Sequence, residues 1–396
     1  MPARFLVLAA KTLLVIDAEA VTSMESQSCS FLLQPGIATV SALLIWFIAL
    51  PPTTCALADE ALVPPAKSVA IRRDQLPRKV LLGTIVSGYD VIFKFPLEKR
   101  FQRMDEFVDA MEVQAKVEYP GKRLDLVVLT EWFMARPGDK LEQQAVRLGD
   151  VSQRIEACAK KHGCYLVVPV VLREEVEPVR YSNVAVLIDR EGRLVGMYRK
   201  VHPTSDHLKY TLLEGGITPG RDYPVFDCDF GRLGIQICYD VVYPEGWQML
   251  ANEGAEIVAF PSETSVTARP SMYALQHGYY IVSATPKEHA AVYNPLGVID
   301  AQVTQEGVLV HQIDLSYAIS GWAEGLDEGE SLRRKFGDRV GFTYFRGEDA
   351  GIFWSNDPST SIGQMFKAFG YQEPDDDAER SRILQDKVRG GPPVFP

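Results

Sequence analysis

The sequence lacks any apolar run of the roughly 18 residues that a membrane-spanning helix requires. Its longest run, residues 37–50, is interrupted by Thr39 and Ser41. Basic residues are also in deficit, because 41 Lys and Arg stand against 52 Asp and Glu, which gives a net charge of −11. A surface that binds nucleic-acid phosphates is therefore not expected, and neither is a stable membrane span in the mature chain.

Cysteine is scarce as well, with six residues in a chain of 396. Cys158, Cys164, Cys228 and Cys238 are the four beyond residue 58, which is too few for a disulfide-built scaffold. Cys158 and Cys164 could pair across a helix-to-strand turn, but two buried free thiols are favoured. Internal repeats and low-complexity tracts are absent too, so we expect a globular protein.

The first 58 residues have features of an export signal. The apolar run 37–50 is followed by the small-residue triplet that ends at Ala58, where cleavage is predicted. The usual basic residues before the run are missing, so translation from Met24 is one alternative, and lipid attachment at Cys55 is another. We expect an exported protein, periplasmic or secreted. An uncleaved membrane anchor or a leader without function are the other interpretations.

From residue 78 onward, short apolar segments alternate with amphipathic ones, a pattern typical of a layered α/β core. The predicted strands are 79–86, 124–130, 165–172, 183–189, 193–201, 233–238, 257–260, 279–284, 297–302 and 307–315. The predicted helices are 97–117, 140–161, 244–252 and 272–277. Glycine and proline in residues 203–224 predict a long ordered loop.

The chain is thus divided into a leader (1–58), a linker (59–77), a main domain (78–316) and a C-terminal extension (317–396). Periodicity weakens in the extension, and residues 373–379 read as an acidic exposed segment. The extension also carries aromatic residues that could cover a pocket or a subunit face, although packing onto the main domain is favoured. They are Phe336, Phe342, Tyr344, Phe345, Phe353 and Trp354.

Three residues of the main domain could carry chemistry. Glu131 follows an apolar strand, where partial desolvation would raise its pKa toward that of a working base. Lys200 closes a hairpin strand, and Cys238 ends an apolar strand just before a turn. Each has an ordinary alternative, namely an exposed carboxylate, a solvated lysine and a core cysteine. No single residue identifies a function.

Together, these segments resemble those of the carbon-nitrogen hydrolase (nitrilase) superfamily over about residues 78–315. The matching motifs are Leu129-Thr130-Glu131-Trp132-Phe133, Tyr198-Arg199-Lys200-Val201-His202, Glu214 before Thr218-Pro219-Gly220, and Gly234-Ile235-Gln236-Ile237-Cys238-Tyr239-Asp240 with Pro244-Glu245, followed by residues 254–262 and 293–297. The resemblance implies an α/β fold that is a four-layer α-β-β-α sandwich. It also implies assembly into a homodimer or a larger homo-oligomer.

By the same resemblance, Glu131, Lys200 and Cys238 form the catalytic set. Glu131 would be the general base, Cys238 the nucleophile that forms a thioester, and Lys200 the group that stabilises the oxyanion. The backbone N–H of Tyr239 is a second oxyanion donor. Glu214 matches a second family glutamate that positions the substrate or the lysine, with a structural loop carboxylate as the alternative.

The residues after the cysteine bear on the substrate. Cys238-Tyr239-Asp240 looks like the amidase and carbamoylase side of the superfamily, which favours a small amide as the substrate. Residues 241–243 offer no cation, so a substrate with a free α-carboxylate is disfavoured. Acyl transfer to an amine, a true nitrilase activity and a non-catalytic binding or scaffold role are the alternatives.

No cofactor and no metal are expected. His202 and His207 lie five residues apart, but no Cys or carboxylate set at ligand spacing joins them. The glycines at 231 and 234 lack the surroundings of a phosphate-binding loop, so they are assigned to the turn that precedes the Cys238 strand.

Overall fold

Two six-stranded sheets lie at the centre of the part of the chain that the computed structural model describes, residues 72–206, 209–321, 325–371 and 374–390. The predicted leader and residues 59–71 of the predicted linker lie outside the described residues, as does His207. Among the described helices, none combines the length and the apolar character needed to cross a bilayer.

The strands are β1 (Lys79–Val86), β2 (Leu126–Val128), β3 (Tyr165–Glu174), β4 (Arg180–Ile188), β5 (Leu194–Arg199), β6 (Val225–Cys228), β7 (Gly231–Ile235), β8 (Ile257–Pro261), β9 (Tyr280–Ala284), β10 (Ala290–Tyr293), β11 (Ile299–Val303), β12 (Gly307–Asp314), β13 (Tyr317–Gly321), β14 (Val340–Phe345) and β15 (Ala350–Ser355). The helices are α1 (Tyr89–Phe93), α2 (Leu97–Glu118), α3 (Leu141–Gln144), α4 (Ser152–His162), α5 (Pro244–Asn252), α6 (Ala268–His277), α7 (Glu330–Phe336), α8 (Ile362–Phe369) and α9 (Pro374–Arg389). Short 3-10 turns occupy Leu148–Asp150, Cys238–Val242, Asp327–Gly329 and Gly337–Arg339.

The two central sheets share one plan. The first has the strand order β12-β1-β2-β3-β4-β5, and the second has the order β11-β10-β9-β8-β7-β6. In each, three parallel strands form the middle, β1-β2-β3 in the first and β7-β8-β9 in the second. Both faces of these strands are covered, which is why their sequences read as continuous apolar runs.

The sheets face each other, with β1 against β9 and β10 and β2 against β8 and β9. Helices α2 and α4 cover the outer face of the first sheet, and α6 covers that of the second with α5 beside it. In α2 the buried residues Met104, Phe107, Val108 and Met111 recur at helical spacing and line the side that meets the sheet. The expected α/β fold with its α-β-β-α layers is confirmed.

Most predicted elements lie within a few residues of the observed ones, but the single helix predicted over 140–161 is wrong. The structure has α3, a 3-10 turn and α4 there. The interruption falls at Val146, whose backbone N–H donates to Val171 and whose carbonyl accepts from Arg173. Because the N–H and carbonyl groups of Val146 form hydrogen bonds with β3, they are not available for the hydrogen bonds of a helix. Strands β6 and β10 were not predicted.

The described residues of the C-terminal extension form regular strands and helices. Strands β13, β15 and β14 form a third, antiparallel sheet, and α7 and α8 pack on it around Leu332, Phe353 and Phe366. Residues 374–379 of the segment predicted as acidic and exposed form the beginning of α9, which starts at Pro374. The weak periodicity of the sequence therefore reflected short elements and not a lack of structure.

The aromatic residues of the extension divide between two cores. Phe336, Phe342, Tyr344 and Phe353 belong to the extension's own cluster. Phe345 and Trp354 pack against the core of the main domain. The prediction that this group packs onto the main domain is thus wrong for the first four and confirmed for the last two.

Candidate active site

Glu131 lies three residues beyond the end of β2, in the space where the two sheets meet. Its side chain is 1% exposed. Carboxylate atom Oε1 accepts hydrogen bonds from Asn183 Nδ2 (2.8 Å) and Lys200 Nζ (2.9 Å), and Oε2 accepts one from the backbone N–H of Glu263 (2.9 Å). Both carboxylate oxygens are therefore held in place, and the alternative of an exposed carboxylate is wrong.

Lys200 follows β5 directly and is as deeply buried as Glu131, with a side chain 1% exposed. Its ammonium group lies 2.9 Å from Glu131 Oε1 and 2.5 Å from Glu214 Oε1. Burial by itself would lower the pKa of Lys200, but the negative charges of Glu131, Cys238 and Glu214 together outweigh it and raise the pKa. Lys200 is thus a permanent cation, and the alternative of a solvated surface lysine is wrong.

Glu214 comes from the long loop and adopts a left-handed backbone conformation with φ of 40°. Its Oε1 accepts a hydrogen bond from the backbone N–H of Thr204 (3.0 Å), and its Oε2 accepts one from Asn183 Nδ2 (3.3 Å). Burial and the charge of Glu131 raise the pKa of Glu214, although Lys200 opposes this shift. Asn183 and Lys200 therefore each bridge the two carboxylates.

Cys238 is the first residue of the 3-10 turn Cys238–Val242. The strand predicted to end at residue 238 is β7, which ends at Ile235. Its φ of 45° lies in the left-handed region, which is strained for a residue with a side chain. Such a turn after a strand can present a nucleophilic side chain beside free backbone N–H groups. The thiol is half-buried.

The charges around Cys238 set its protonation state. Burial, followed by the charge of Glu131, raises the pKa of the Cys238 thiol to about 12. Lys200, a hydrogen bond with the Ser262 side chain and one with the backbone of Glu263 act in the opposite direction. The sulfur is therefore a neutral thiol at neutral pH that must lose its proton during attack, and a base beside it is required.

Asp240 anchors the turn that carries the cysteine. It is fully buried, and its Oδ2 accepts hydrogen bonds from Tyr198 Oη (2.7 Å) and the backbone N–H of Ile237 (2.9 Å). Its Oδ1 accepts the backbone N–H of His202 (2.8 Å). Because Tyr198 and His202 flank Lys200 in the chain, this one carboxylate fixes the turn that carries Cys238 to the segment that carries Lys200.

The structure brings Glu131, Lys200, Glu214 and Cys238 together, as expected for these four. Tyr239 follows Cys238 in the same turn. Sequence reasoning missed four other residues of the site: Asn183, Asp240, Ser262 and Glu263. A signal existed for Asn183, a polar residue in the otherwise apolar strand Asn183-Val-Ala-Val-Leu-Ile188.

The other cysteines of the described residues, Cys158, Cys164 and Cys228, are free thiols, in agreement with the favoured prediction for Cys158 and Cys164, both of which are buried. Burial raises the pKa of Cys164 and of Cys228 to about 12, so both are neutral thiols at neutral pH. His202 stacks on Tyr243 with ring centroids 3.9 Å apart. Within the described residues, no group of three or more His, Cys, Asp or Glu side chains could hold a metal ion.

Comparison with known proteins identifies the family. The sequence profile of the family described as carbon-nitrogen hydrolase matches residues 87–321, which is more than half of the chain. The chain is 26% identical to omega-amidase NIT2-B of Xenopus laevis over 224 residues, covering 50% of this chain and 80% of that protein. It is 26% identical to omega-amidase NIT2 of Homo sapiens over 213 residues, covering 48% and 76% respectively.

Solved structures agree on the fold. Nit3 of Saccharomyces cerevisiae, a member of the nitrilase superfamily, superposes with a TM-score of 0.50 at 20% identity and covers 66% of this chain and 96% of its own. The NitFhit protein of C. elegans superposes with a TM-score of 0.51 at 23% identity. The match covers 61% of this chain and 62% of the NitFhit chain. The chain thus belongs to the carbon-nitrogen hydrolase family.

Proposed function

We propose that this protein is an amidase that hydrolyses a small amide through a thioester on Cys238. The observation that carries the proposal is the position of the Lys200 ammonium group, enclosed by Glu131 and Glu214 and close enough to Cys238 to affect its pKa. A buried cation, a buried carboxylate and a thiol on a strained turn are the groups that nucleophilic acyl transfer needs.

In the proposed reaction, Glu131 takes the proton of the Cys238 thiol as the sulfur attacks the amide carbon. The negative charge that develops on the amide oxygen is stabilised by Lys200 and by the backbone N–H of Tyr239. The tetrahedral intermediate collapses when its C–N bond breaks, and the leaving amine takes the proton from Glu131. Glu131 then deprotonates a water molecule that attacks the thioester; the C–S bond breaks to release the acid, and Glu131 returns the proton to the Cys238 sulfur.

Glu214 acts on Lys200 in this scheme. Its Oε1 lies against the ammonium group, and the N–H of Thr204 holds that carboxylate in place. Without Glu214, Lys200 would be free to pair with Glu131 alone, which would weaken the base. We therefore assign Glu214 a positioning role.

An amide is favoured over a nitrile as the substrate on two grounds. The curated relatives with the matching segment are named omega-amidases. The residues after the nucleophile, Cys238-Tyr239-Asp240, also differ from the Trp-Glu that follows the cysteine in family members acting on nitriles.

The proposal is tested by comparing the wild-type protein with Cys238→Ala, Glu131→Gln and Lys200→Ala on a panel of small aliphatic amides. Ammonia release by the wild type and a loss of at least about 10³-fold in each variant are expected. Hydroxylamine should trap the acyl group as a hydroxamate, and mass spectrometry should show the acyl adduct on Cys238. Equal background rates in the wild type and Cys238→Ala would overturn the proposal in favour of a non-catalytic role.

A further inference from the structure

Glu263 is a residue of the site that the proposed mechanism does not use. It follows β8 and Ser262, whose hydroxyl donates to the carbonyl of Thr264 (2.7 Å) and accepts from its N–H (3.1 Å). This closed turn fixes the backbone of Glu263 so that its N–H donates to Glu131 Oε2. The residue is thus held directly beside the proposed base, and its side chain is half-buried.

The charges at this place do not balance. Glu131, Glu214 and Glu263 supply three carboxylates, whereas Lys200 supplies one ammonium group that is already bound by the first two. Among the described residues, Glu263 has no ion pair within 4 Å. Burial and the charge of Glu131 accordingly raise its pKa, with Lys200 and Lys287 opposing the shift.

Lys287 is the other cation whose charge acts on Glu263, but Lys287 forms no ion pair with the Glu263 carboxylate. Its ammonium group lies 3.6 Å from Glu288 Oε1 and 5.6 Å from the ring centroid of Tyr89. The turn after the nucleophile, residues 239–243, contains no basic residue either. The half-buried carboxylate of Glu263 therefore lacks a counter-charge that the protein itself provides.

We propose that Glu263 is a specificity-determining residue that supplies the counter-charge for a cationic group of the substrate, so that the enzyme prefers amides bearing an ammonium group and disfavours those bearing a carboxylate. This inference rests on the proposed amidase function and names its substrate class. Its physical basis is that a carboxylate without a partner attracts cations and repels anions within a Debye length, about 8 Å at physiological salt.

The first experiment measures the local charge without requiring turnover. Cys238 is modified with two methanethiosulfonate reagents of similar size, one with a trimethylammonium group and one with a sulfonate, and the rate for each is followed by mass spectrometry of the Cys238 peptide. The ratio of cationic to anionic rates should exceed one in the wild type. Glu263→Gln should lower this ratio about tenfold, because a unit charge is removed and the two reagents respond in opposite directions.

Two controls accompany this measurement. Glu253→Gln, at the exposed end of α5, should leave the ratio unchanged, and 1 M salt should reduce the ratio in the wild type by screening. Thermal unfolding of Glu263→Gln establishes that the variant is folded. A ratio that Glu263→Gln leaves within twofold of the wild type would overturn the inference.

The second experiment uses substrates of matched length: 5-aminopentanamide, hexanamide and 4-carbamoylbutanoate. In the wild type, kcat/KM should fall in that order, and Glu263→Gln should lower the ratio of kcat/KM for 5-aminopentanamide to kcat/KM for hexanamide about tenfold. Equal loss on all three amides would overturn the inference and leave the amidase proposal intact. Absence of turnover on every amide would count against the amidase proposal, and the reagent ratio would still decide the role of Glu263.

Discussion

Lys200 shows how one buried charge is accommodated by its neighbours. Its ammonium group has a carboxylate on either side, and Asn183 binds the same two carboxylates from the adjacent strand. Removing one partner from such a set leaves the others as buried charges without compensation. The arrangement is therefore sensitive to the loss of any single member.

The first prediction concerns Lys200→Met, which keeps the length of the side chain and removes the charge. The free energy of unfolding should fall by about 3–5 kcal/mol, because Glu131 and Glu214 then lie buried without a cation. Urea unfolding at pH 8 and pH 5 checks this. Burial already raises the pKa of Glu214, and the lost cation removes the charge that opposed this shift, so the deficit should be largest at pH 8 and shrink as the pH falls.

Lys161→Met is the matched control for that measurement. Its partner is also a carboxylate, Asp109 at 2.8 Å, but both side chains are more than half exposed. Surface ion pairs of this kind contribute little to the free energy of unfolding, so Lys161→Met should hardly change the stability of the protein. An equal loss in both variants would contradict the role assigned to burial.

The second prediction concerns the pH dependence of Cys238 alkylation by iodoacetamide, which reacts with the thiolate. The rate in the wild type should keep rising from pH 7 to pH 10, because burial and then Glu131 raise the thiol pKa to about 12. Glu131→Gln should lower the pKa and accelerate alkylation at pH 9, while Lys200→Ala should raise the pKa and slow it.

The two effects of Glu131 are separated by comparing alkylation with catalysis. If Glu131 is the base, amide hydrolysis falls in Glu131→Gln although alkylation becomes faster. Labelling of Cys228, which is outside the site, serves as the internal reference in the same digest. Slower alkylation of Cys238 in Glu131→Gln would show that the electrostatic explanation is wrong.

At the scale of elements, the site depends on the close packing of a loop against a strand end. The N–H of Gly220 donates to the carbonyl of Lys200 (2.8 Å), so the long loop is bonded to the residue that carries the ammonium group. A Cβ atom at position 220 would lie 2.3 Å from the carbonyl oxygen of Arg199, which is far inside contact distance. Only a glycine fits there without backbone movement.

The third prediction follows from the close contact between Gly220 and the backbone of Arg199. Gly220→Ala should displace the loop from the backbone of Arg199 and Lys200, which lowers kcat/KM for the amide by at least about tenfold, since misplacement of catalytic groups by about 1 Å has effects of that size or larger. Steady-state kinetics and thermal unfolding provide the measurement. Gly149→Ala is the control, because its new Cβ would meet nothing within 4 Å, and unchanged kinetics in Gly220→Ala would refute the prediction.

At the scale of the whole molecule, the C-terminal extension is bonded into the main domain as well as to itself. Ile352 and Tyr317 belong to the main core, whereas Phe353 and Phe366 form the core of the extension. Buried Arg72 adds a link, since it donates to the carbonyl of Gly278 (2.6 Å) and to Tyr317 Oη (3.2 Å). The extension should therefore unfold together with the sandwich.

The fourth prediction tests this cooperativity. Ile352→Ala in β15 should lower stability by about 2–5 kcal/mol, as expected for truncation of a buried aliphatic side chain. Differential scanning calorimetry should show one transition that moves to lower temperature as a whole. A separate low-temperature transition, with the main one unmoved, would show that the extension is an independent unit.

The sequence alone predicted the strands and helices that have strong apolar patterns. Strand β1 has the predicted bounds, and α2 ends one residue later than predicted. A buried strand requires a continuous run of apolar residues and an amphipathic helix requires apolar residues at helical spacing, and both patterns are clear in these segments. The helix predicted over 140–161 was wrong because Val146 bonds to β3, a partner distant in sequence. The short strand β10, four residues long, carried too little pattern to be recognised.

The candidate residues were determined by the sequence as well, since Glu131, Lys200, Glu214 and Cys238 each lie in a motif that resembles the family. Only the tertiary structure decided that Lys200 is buried between two carboxylates, that Asp240 fixes the cysteine turn and that Glu263 lies beside Glu131. These features arise from contacts between strands and loops far apart in the chain. Local residue order records which groups are present, whereas burial and distance, which set their charge and reactivity, exist only in the folded molecule.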